Sequence, residues 1–133
     1  MSTNKTKRKV NGAKSRRIGH SYELKIIREL NDIYNTKSLV STRSESKLLD
    51  NLGVDISDRE NILPMFVQCK NTQSIPSTSL ISEAKITSKP LVVFWNKRIR
   101  KNENCVSGGE FVFLSKEFFY TLLKKTNEID SDK

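Results

Sequence analysis

The chain has 133 residues, of which 35% are hydrophobic and 29% charged, and its formal net charge is +9. This length fits one domain with a single modest core. The absence of a run of about 20 apolar residues argues against a membrane helix, and no apolar block follows the basic N-terminus to make a signal peptide. Cys69 and Cys105 lack the spacing of a zinc site or a disulfide scaffold, so we expect free thiols without a chemical role. These features predict a cytoplasmic protein with no membrane partner, and the Lys-, Asn- and Ser-rich composition is also compatible with a virus-encoded protein acting in its host cell.

The basic excess is concentrated at the N-terminus. Residues 1–20 contain no acidic residue and carry +7 of the net +9, from Lys5, Lys7, Arg8, Lys9, Lys14, Arg16 and Arg17. Lys and Arg along a phosphate backbone release condensed counterions, so a polyanion is the expected partner of such a segment. A solvated tail without a partner is the alternative. We expect residues 1–20 to form a flexible basic arm.

The first predicted element is an amphipathic helix over residues 21–34. Apolar residues recur there at every third position, and the stripe contains Leu24, Ile27, Leu30 and Ile33, widened by Tyr22 and Ile26. Five β-prone runs then predict strands at residues 39–42, 53–57, 63–70, 91–95 and 111–114. A second helix is predicted at residues 77–88 and a third after Ser115, while residues 43–51 and 96–109 have the composition of loops.

This order of elements is typical of an α/β domain. A helix, three strands, a helix, two strands and a helix predict a central mixed five-stranded sheet flanked by helices. No repeat or second core is evident in the pattern. We therefore expect one domain at residues 21–126, followed by a frayed tail at residues 127–133.

The polar residues of two predicted strands indicate a reactive centre. The short turn at residues 58–61 predicts an antiparallel hairpin that brings Asp55 beside Gln68 and Lys70, which share one face of their strand. Cleavage of a phosphodiester needs a divalent cation to neutralise the transition state and a positioned water. Mg²⁺ takes oxygen ligands and keeps several waters, so few protein ligands suffice.

The same residues carry a resemblance to a known family. The strings GVDI at residues 53–56 and VQCK at residues 67–70 resemble the D…(E/Q)xK signature of PD-(D/E)XK nucleases. Glu23, which follows the basic stretch at residues 14–17, matches the helix glutamate of archaeal-type Holliday junction resolvases. The element order agrees with that group from about residue 11 to residue 125. The resemblance implies a restriction-endonuclease-like fold and a metal-dependent endonuclease.

The resemblance also implies roles for individual residues. Glu23, Asp55 and the amide oxygen of Gln68 would bind Mg²⁺, with Mn²⁺ able to substitute, and no nucleotide cofactor is expected. Lys70 would orient or deprotonate the attacking water, or stabilise charge on the phosphate. Gln68 departs from the commoner Glu, and because its oxygen is neutral we expect a weaker metal site. Each residue also has a structural alternative, as a turn or a solvated strand end.

Other residues are candidates for contacts with DNA. Resolvases similar to this chain place an Arg and a Ser near the scissile phosphate, in the loop that here contains Arg43 and Ser44, and Ser44 would belong to the catalytic set. The predicted DNA-binding residues are Lys14, Arg16, Arg17, Arg43, Lys97, Arg98, Arg100 and Lys101. Polar loop filler and a solvated loop tip are the alternatives for these residues.

The implied activity is resolution of four-way DNA junctions during recombination and repair. Paired symmetric nicks in a two-fold symmetric junction are made most simply by a homodimer, whose interface would use apolar surface such as the Phe118-Phe119 helix. Two other functions remain open: another nuclease of the same superfamily, of repair or restriction type, and a non-catalytic DNA-binding protein of the same fold. Metal-dependent cleavage distinguishes the nucleases from the binding protein.

Overall fold

The chain alternates helices and strands, in agreement with the predicted α/β class. A computed structural model describes residues 2–86 and 88–131, with side chains for residues 14, 16–86 and 88–128. Its elements are α1 (Ser2–Tyr34), β1 (Val40–Ser41), α2 (Thr42–Glu45), α3 (Lys47–Asn51), β2 (Ile56–Ser57), β3 (Phe66–Thr72), α4 (Ser79–Ser82), β4 (Leu91–Lys101), β5 (Asn104–Phe113) and α5 (Lys116–Ser131). Among these, no helix has the length and apolar character needed to cross a membrane.

The strands form two sheets, so the prediction of one five-stranded sheet was wrong. In the larger sheet β4 is central, parallel to β3 and antiparallel to β5, while β1 and β2 pair separately as a two-residue antiparallel ladder. The predicted hairpin between β2 and β3 is not formed as a ladder. The carboxylate of Asp58 accepts the backbone N–H groups of Ile62 and Leu63, and Pro64 has no N–H to give, so the connection turns aside before β3 begins.

Helix α1 covers one face of the sheets and supplies half of the core. Tyr22, Ile26, Ile27 and Leu30 are buried against residues of β2, β3 and the adjoining loops. The predicted stripe was wrong at its two ends, since Leu24 and Ile33 are exposed. Nine residues at 3.6 residues per turn place these two side chains on opposite sides of the helix. Residues 2–20, predicted as a separate arm, belong to the same helix.

Strands β4 and β5 form a long hairpin where a loop was predicted at residues 96–109. The turn lies at Asn102 and Glu103, where Asn102 has a φ of 58°. Gly108 and Gly109 lie within β5, and a Cβ on Gly108 would come within 2.3 Å of the end of the Ile99 side chain. Gly108 therefore leaves room for this side chain.

The remaining elements are short, except for the last helix. Residues 43–51, predicted as a loop, contain α2 and α3. Helix α4 is a single turn within the predicted helix at residues 77–88, of which residue 87 lies outside the described part. Ser115 caps α5 by accepting the N–H of Phe118, as predicted, and α5 extends to Ser131, beyond the predicted start of the tail. Residues 132 and 133 of that tail lie outside the described part.

Candidate active site

Asp55 directly precedes β2 of the smaller sheet and is hydrogen-bonded to β3 and to the start of α2. Its N–H donates to the carbonyl oxygen of Val67 in β3 at 2.8 Å, and its carbonyl oxygen accepts the N–H of Thr42 at 3.1 Å. Its Oδ2 accepts the N–H of Cys69 at 2.7 Å. Because β3 is the edge strand of its sheet, these bonds satisfy edge groups that no neighbouring strand pairs. The carboxyl group is therefore fixed at the middle of β3.

The environment of Asp55 opposes ionisation of its carboxyl group. The pKa of Asp55 is raised to about 6, chiefly by burial and also by the negative charge of Glu23. The N–H of Cys69 and the positive charges of Arg43 and Lys70 act in the opposite direction. Desolvation and a neighbouring carboxylate are the usual causes of a raised carboxyl pKa at a reactive centre.

Glu23 is a buried carboxylate on α1, with 3% of its surface exposed. Its Oε1 accepts a hydrogen bond from Nη2 of Arg43 at 2.9 Å, and Nδ1 of His20 lies 3.4 Å from its Oε2. A buried charge without a partner is strongly unfavourable, so Arg43 compensates for the burial of Glu23. His20 was not among the predicted site residues. Its position three residues before Glu23 on the same helix could have predicted that the two side chains are neighbours.

Gln68 and Lys70 lie on the same face of β3, beside Asp55. The nearest atom to a Cβ placed on Gly53 would be Nε2 of Gln68, at 3.1 Å, and Gly53 has a φ of +82°. Glycine is therefore required at position 53 both by the backbone and by the room that the Gln68 amide takes. Neither the Gln68 amide nor the Lys70 ammonium donates a hydrogen bond to another described residue, which leaves both available to a ligand.

One cavity of about 460 Å³ brings the predicted residues together, and we call it the central cavity. Six of its lining residues were predicted site residues: Glu23, Arg43, Asp55, Gln68, Lys70 and Arg98. The other predicted residues lie elsewhere. Ser44 lines a neighbouring cavity with Arg16 and Arg17, and its Oγ donates to the carbonyl oxygen of Ser41. Lys14 is exposed on α1, and Lys97, Arg100 and Lys101 lie along β4 outside the central cavity.

Residues after Lys70 also line the central cavity and were missed. Nδ2 of Asn71 donates to the carbonyl oxygen of Ile18, while its Oδ1 accepts from Nδ2 of Asn96, whose Oδ1 accepts from Ser107. This series links α1 to all three strands of the larger sheet. These residues were missed because β3 continues to Thr72, two residues beyond the predicted end of the strand.

Cys69 borders the central cavity. Burial raises the pKa of the Cys69 thiol, and the negative charges of Asp55 and Glu23 act in the same direction. These influences disfavour the thiolate, which is the nucleophilic form of cysteine. Cys69 and Cys105 are both free, as the sequence predicted.

The oxygen atoms of the central cavity fit a hard divalent cation. Two carboxylates and the Gln68 amide are the ligand types that Mg²⁺ takes, with further positions for water or phosphate oxygens. A cation at Asp55 would offset the two influences that raise its pKa, which are burial and the charge of Glu23. Within the described part of the chain, no group of three or more His, Cys, Asp or Glu side chains is placed to bind a metal. The fit therefore depends on Gln68 as the third donor.

Comparisons with known proteins give no match: no family model, no curated protein and no solved structure resembles this chain.

Proposed function

We propose that the protein is a metal-dependent DNA endonuclease with a restriction-endonuclease-like core, and that it resolves four-way junctions by paired symmetric nicks. The observation that carries this proposal is the central cavity, where residues from α1, the β1–β2 region and β3 meet. Glu23, Asp55, Gln68 and Lys70 are separated by up to 47 positions in sequence, yet their side chains line one space. Their chemistry is that of phosphodiester hydrolysis.

Each side chain has a defined task in this proposal. Glu23, Asp55 and Gln68 would bind Mg²⁺, which supplies charge neutralisation at the phosphate and a more acidic water. Lys70 lies close enough to Asp55 for its charge to lower the pKa of that carboxyl group. Its ammonium group would hold the attacking water or the phosphate oxygen next to the carboxylates. Arg98, on the same cavity wall, would neutralise a flanking phosphate.

A junction substrate is supported by the positive charge around the cavity and by an apolar face suited to a homodimer. On β5, Phe111 and Val112 are each 47% exposed. On α5, Phe119, Tyr120 and Leu123 are about half exposed. Large apolar side chains left exposed in this way are typical of residues that a protein partner covers. A second copy bound there would supply a second site related by two-fold symmetry, which matches the symmetry of a junction.

A non-catalytic DNA-binding protein is the second candidate, and one contact favours it. The guanidinium of Arg43 neutralises Glu23 in the way that a bound cation would. A chain that had lost its metal would gain stability from such a replacement. For the nuclease, Arg43 must transfer to a phosphate when the metal binds.

The test compares cleavage of a labelled four-way junction with that of a linear duplex of the same sequences, in Mg²⁺ or EDTA. The wild type, Asp55→Asn and the matched control Asp32→Asn, an exposed aspartate on α1, are assayed together. We expect paired Mg²⁺-dependent nicks near the crossover, which Asp55→Asn abolishes and Asp32→Asn retains. Tight junction binding without cleavage would support the binding protein, and equal cleavage of the duplex would support another class of nuclease.

A further inference from the structure

A second cavity lies beside the central cavity, on the other side of Arg43. It has a volume of about 810 Å³, and we call it the α1–β1 cavity because its walls come from those elements and the start of α2. Arg43 lines both cavities. The volume falls in the range of about 300–1,000 Å³ that is typical of sites for small ligands.

The floor of the α1–β1 cavity is aliphatic. It is formed by Leu24, Ile27, Leu39 and Val40. Ile27 and Leu39 belong to the buried core, whereas Leu24 is 40% exposed at the edge of the cavity. A ligand that covers this floor removes apolar surface from water, which is favourable in proportion to the area covered. A flat, weakly polar group is the best fit for such a surface.

The rim of the same cavity is cationic. Arg16, Arg17 and Arg43 line it together with His20, and no carboxylate is among its described lining residues. Glu23 lies behind Arg43 and is already paired with it. An anionic group at the rim would therefore meet the guanidinium groups of Arg16 and Arg17, which can donate planar pairs of hydrogen bonds to a phosphate, next to Arg43, which Glu23 already shares.

We propose that the α1–β1 cavity binds one unpaired nucleotide of the DNA substrate, with its base on the aliphatic floor and its phosphate at the arginine rim. The proposal deepens the proposed function and rests on it, since it takes the substrate to be DNA. A base within a duplex is stacked on both faces and cannot reach such a floor, whereas a base at a branch point or a strand end can. An apolar peptide segment would cover the floor but leave the arginines without partners.

The position of this nucleotide relative to the cut follows from Arg43. Because Arg43 lines both cavities, we place the phosphate bound at the rim next to the one that the proposed function puts between Asp55 and Lys70. The base in the α1–β1 cavity therefore belongs to a nucleotide adjacent to the scissile phosphate. Selection of branched DNA then arises from the enzyme's requirement for an unstacked base beside the cleaved bond.

The test measures binding of a short fluorescent oligothymidylate and of the same strand with abasic sites, both in EDTA. The variant is Leu24→Gln, which makes the cavity edge polar without adding charge. Its control is Ile33→Gln, on the opposite side of α1. We expect Leu24→Gln to weaken binding of the oligothymidylate about tenfold and to leave the abasic strand unaffected, because covering an apolar side chain of this size contributes about that factor. Ile33→Gln should bind both strands as the wild type does.

Arg16→Gln should weaken the binding of both strands to a similar degree, because it removes a proposed contact with a phosphate. Equal affinity of the wild type for the two strands, or an unchanged preference in Leu24→Gln, would overturn the proposal. The outcomes separate it from the nuclease proposal because binding is measured without metal. If the protein prefers the base-containing strand but cuts no DNA, the nucleotide site is supported and the nuclease proposal fails. If it cuts junctions but shows no preference for the base-containing strand, the nuclease proposal is supported and the nucleotide site fails.

Discussion

The central cavity differs from the outer face, by which we mean the exposed apolar side chains of β5 and α5, in which residues folding removes from water. At the central cavity, one carboxylate is buried and another partly buried, and both have partners: Glu23 pairs with Arg43, and Asp55 accepts from the backbone of β3. On the outer face, large apolar side chains remain in solvent, among them Phe119 and Leu123 at 48% and 49% exposure. Each region departs from the usual partition of polar and apolar groups.

These two departures indicate two different kinds of use. Burying carboxylates lowers stability and is retained where their altered chemistry is needed. Leaving aromatic surface exposed lowers solubility and is retained where a partner covers it. We therefore propose that the first region needs only its ligands, whereas the second is completed by another protein surface. Three measurements test this contrast.

The largest effect is expected at Lys70. Replacement by Met keeps the length of the side chain but removes its charge from beside Asp55, and we expect junction cleavage to fall by about 10³-fold. Junction binding in EDTA should change little, because one phosphate contact among many is a small share of the affinity. Lys37→Met, at an exposed position after α1, is the control and should cut normally. Loss of binding in parallel with cleavage would place Lys70 outside the catalytic machinery.

An intermediate effect is expected on the outer face. Phe119→Asp puts a charge into the proposed dimer interface, and the dissociation constant should rise at least about 30-fold, the effect of disrupting an aromatic anchor. Light scattering over a dilution series measures this change. Ile33→Asp, more exposed and on α1, should dimerise as the wild type does. A wild type that is monomeric at every concentration would remove the dimer from the proposed function.

The smallest effect is expected in the stability of Asp55→Asn. The folded pKa of Asp55, about 6, lies above its ordinary value near 3.8, so folding favours the protonated carboxyl group. This contribution is complete below pH 3.8 and is lost as the pH rises through 6. The neutral Asn variant avoids that loss and should be more stable than the wild type at pH 7.5 by about 1–3 kcal/mol, with little difference at pH 4.

Urea unfolding at the two pH values, in EDTA, measures the difference. Asp32→Asn should match the wild type at both. A stability gain that is independent of pH would show that the charge of Asp55 is not its source. Added Mg²⁺ should reverse the order of stability at pH 7.5 if the cation binds the native wild type alone.

The sequence predicted the neighbours of Asp55 better than it predicted the sheet around them. Asp55, Gln68 and Lys70 lie together because one backbone hydrogen bond, from Asp55 to Val67, aligns the two segments. The prediction assumed a whole ladder of such bonds, and Pro64 together with the Asp58 turn prevents it. The alternation of hydrophobic residues in β3 was enough to predict that Gln68 and Lys70 share a face. The arrangement of the sheet depends on pairing between strands that are distant in sequence.

Two features could not be predicted for lack of a local signal. Residues 97–101 are mostly charged and resemble a loop, yet they form a strand because β5 pairs with them and Gly108 admits Ile99. The ion pair between Glu23 and Arg43 spans 20 positions and depends on how α1 crosses the start of α2. These contacts depend on strand pairing and on the position of a helix relative to the rest of the chain. Neither can be predicted from the residue pattern of one segment alone.

Asp55 joins the smaller sheet to β3 through its own backbone and side chain. The residue proposed to bind the metal therefore also connects two parts of the scaffold. A shift of one sheet relative to the other would move this carboxylate directly, so the stiffness of the scaffold and the proposed reactivity depend on the same few atoms.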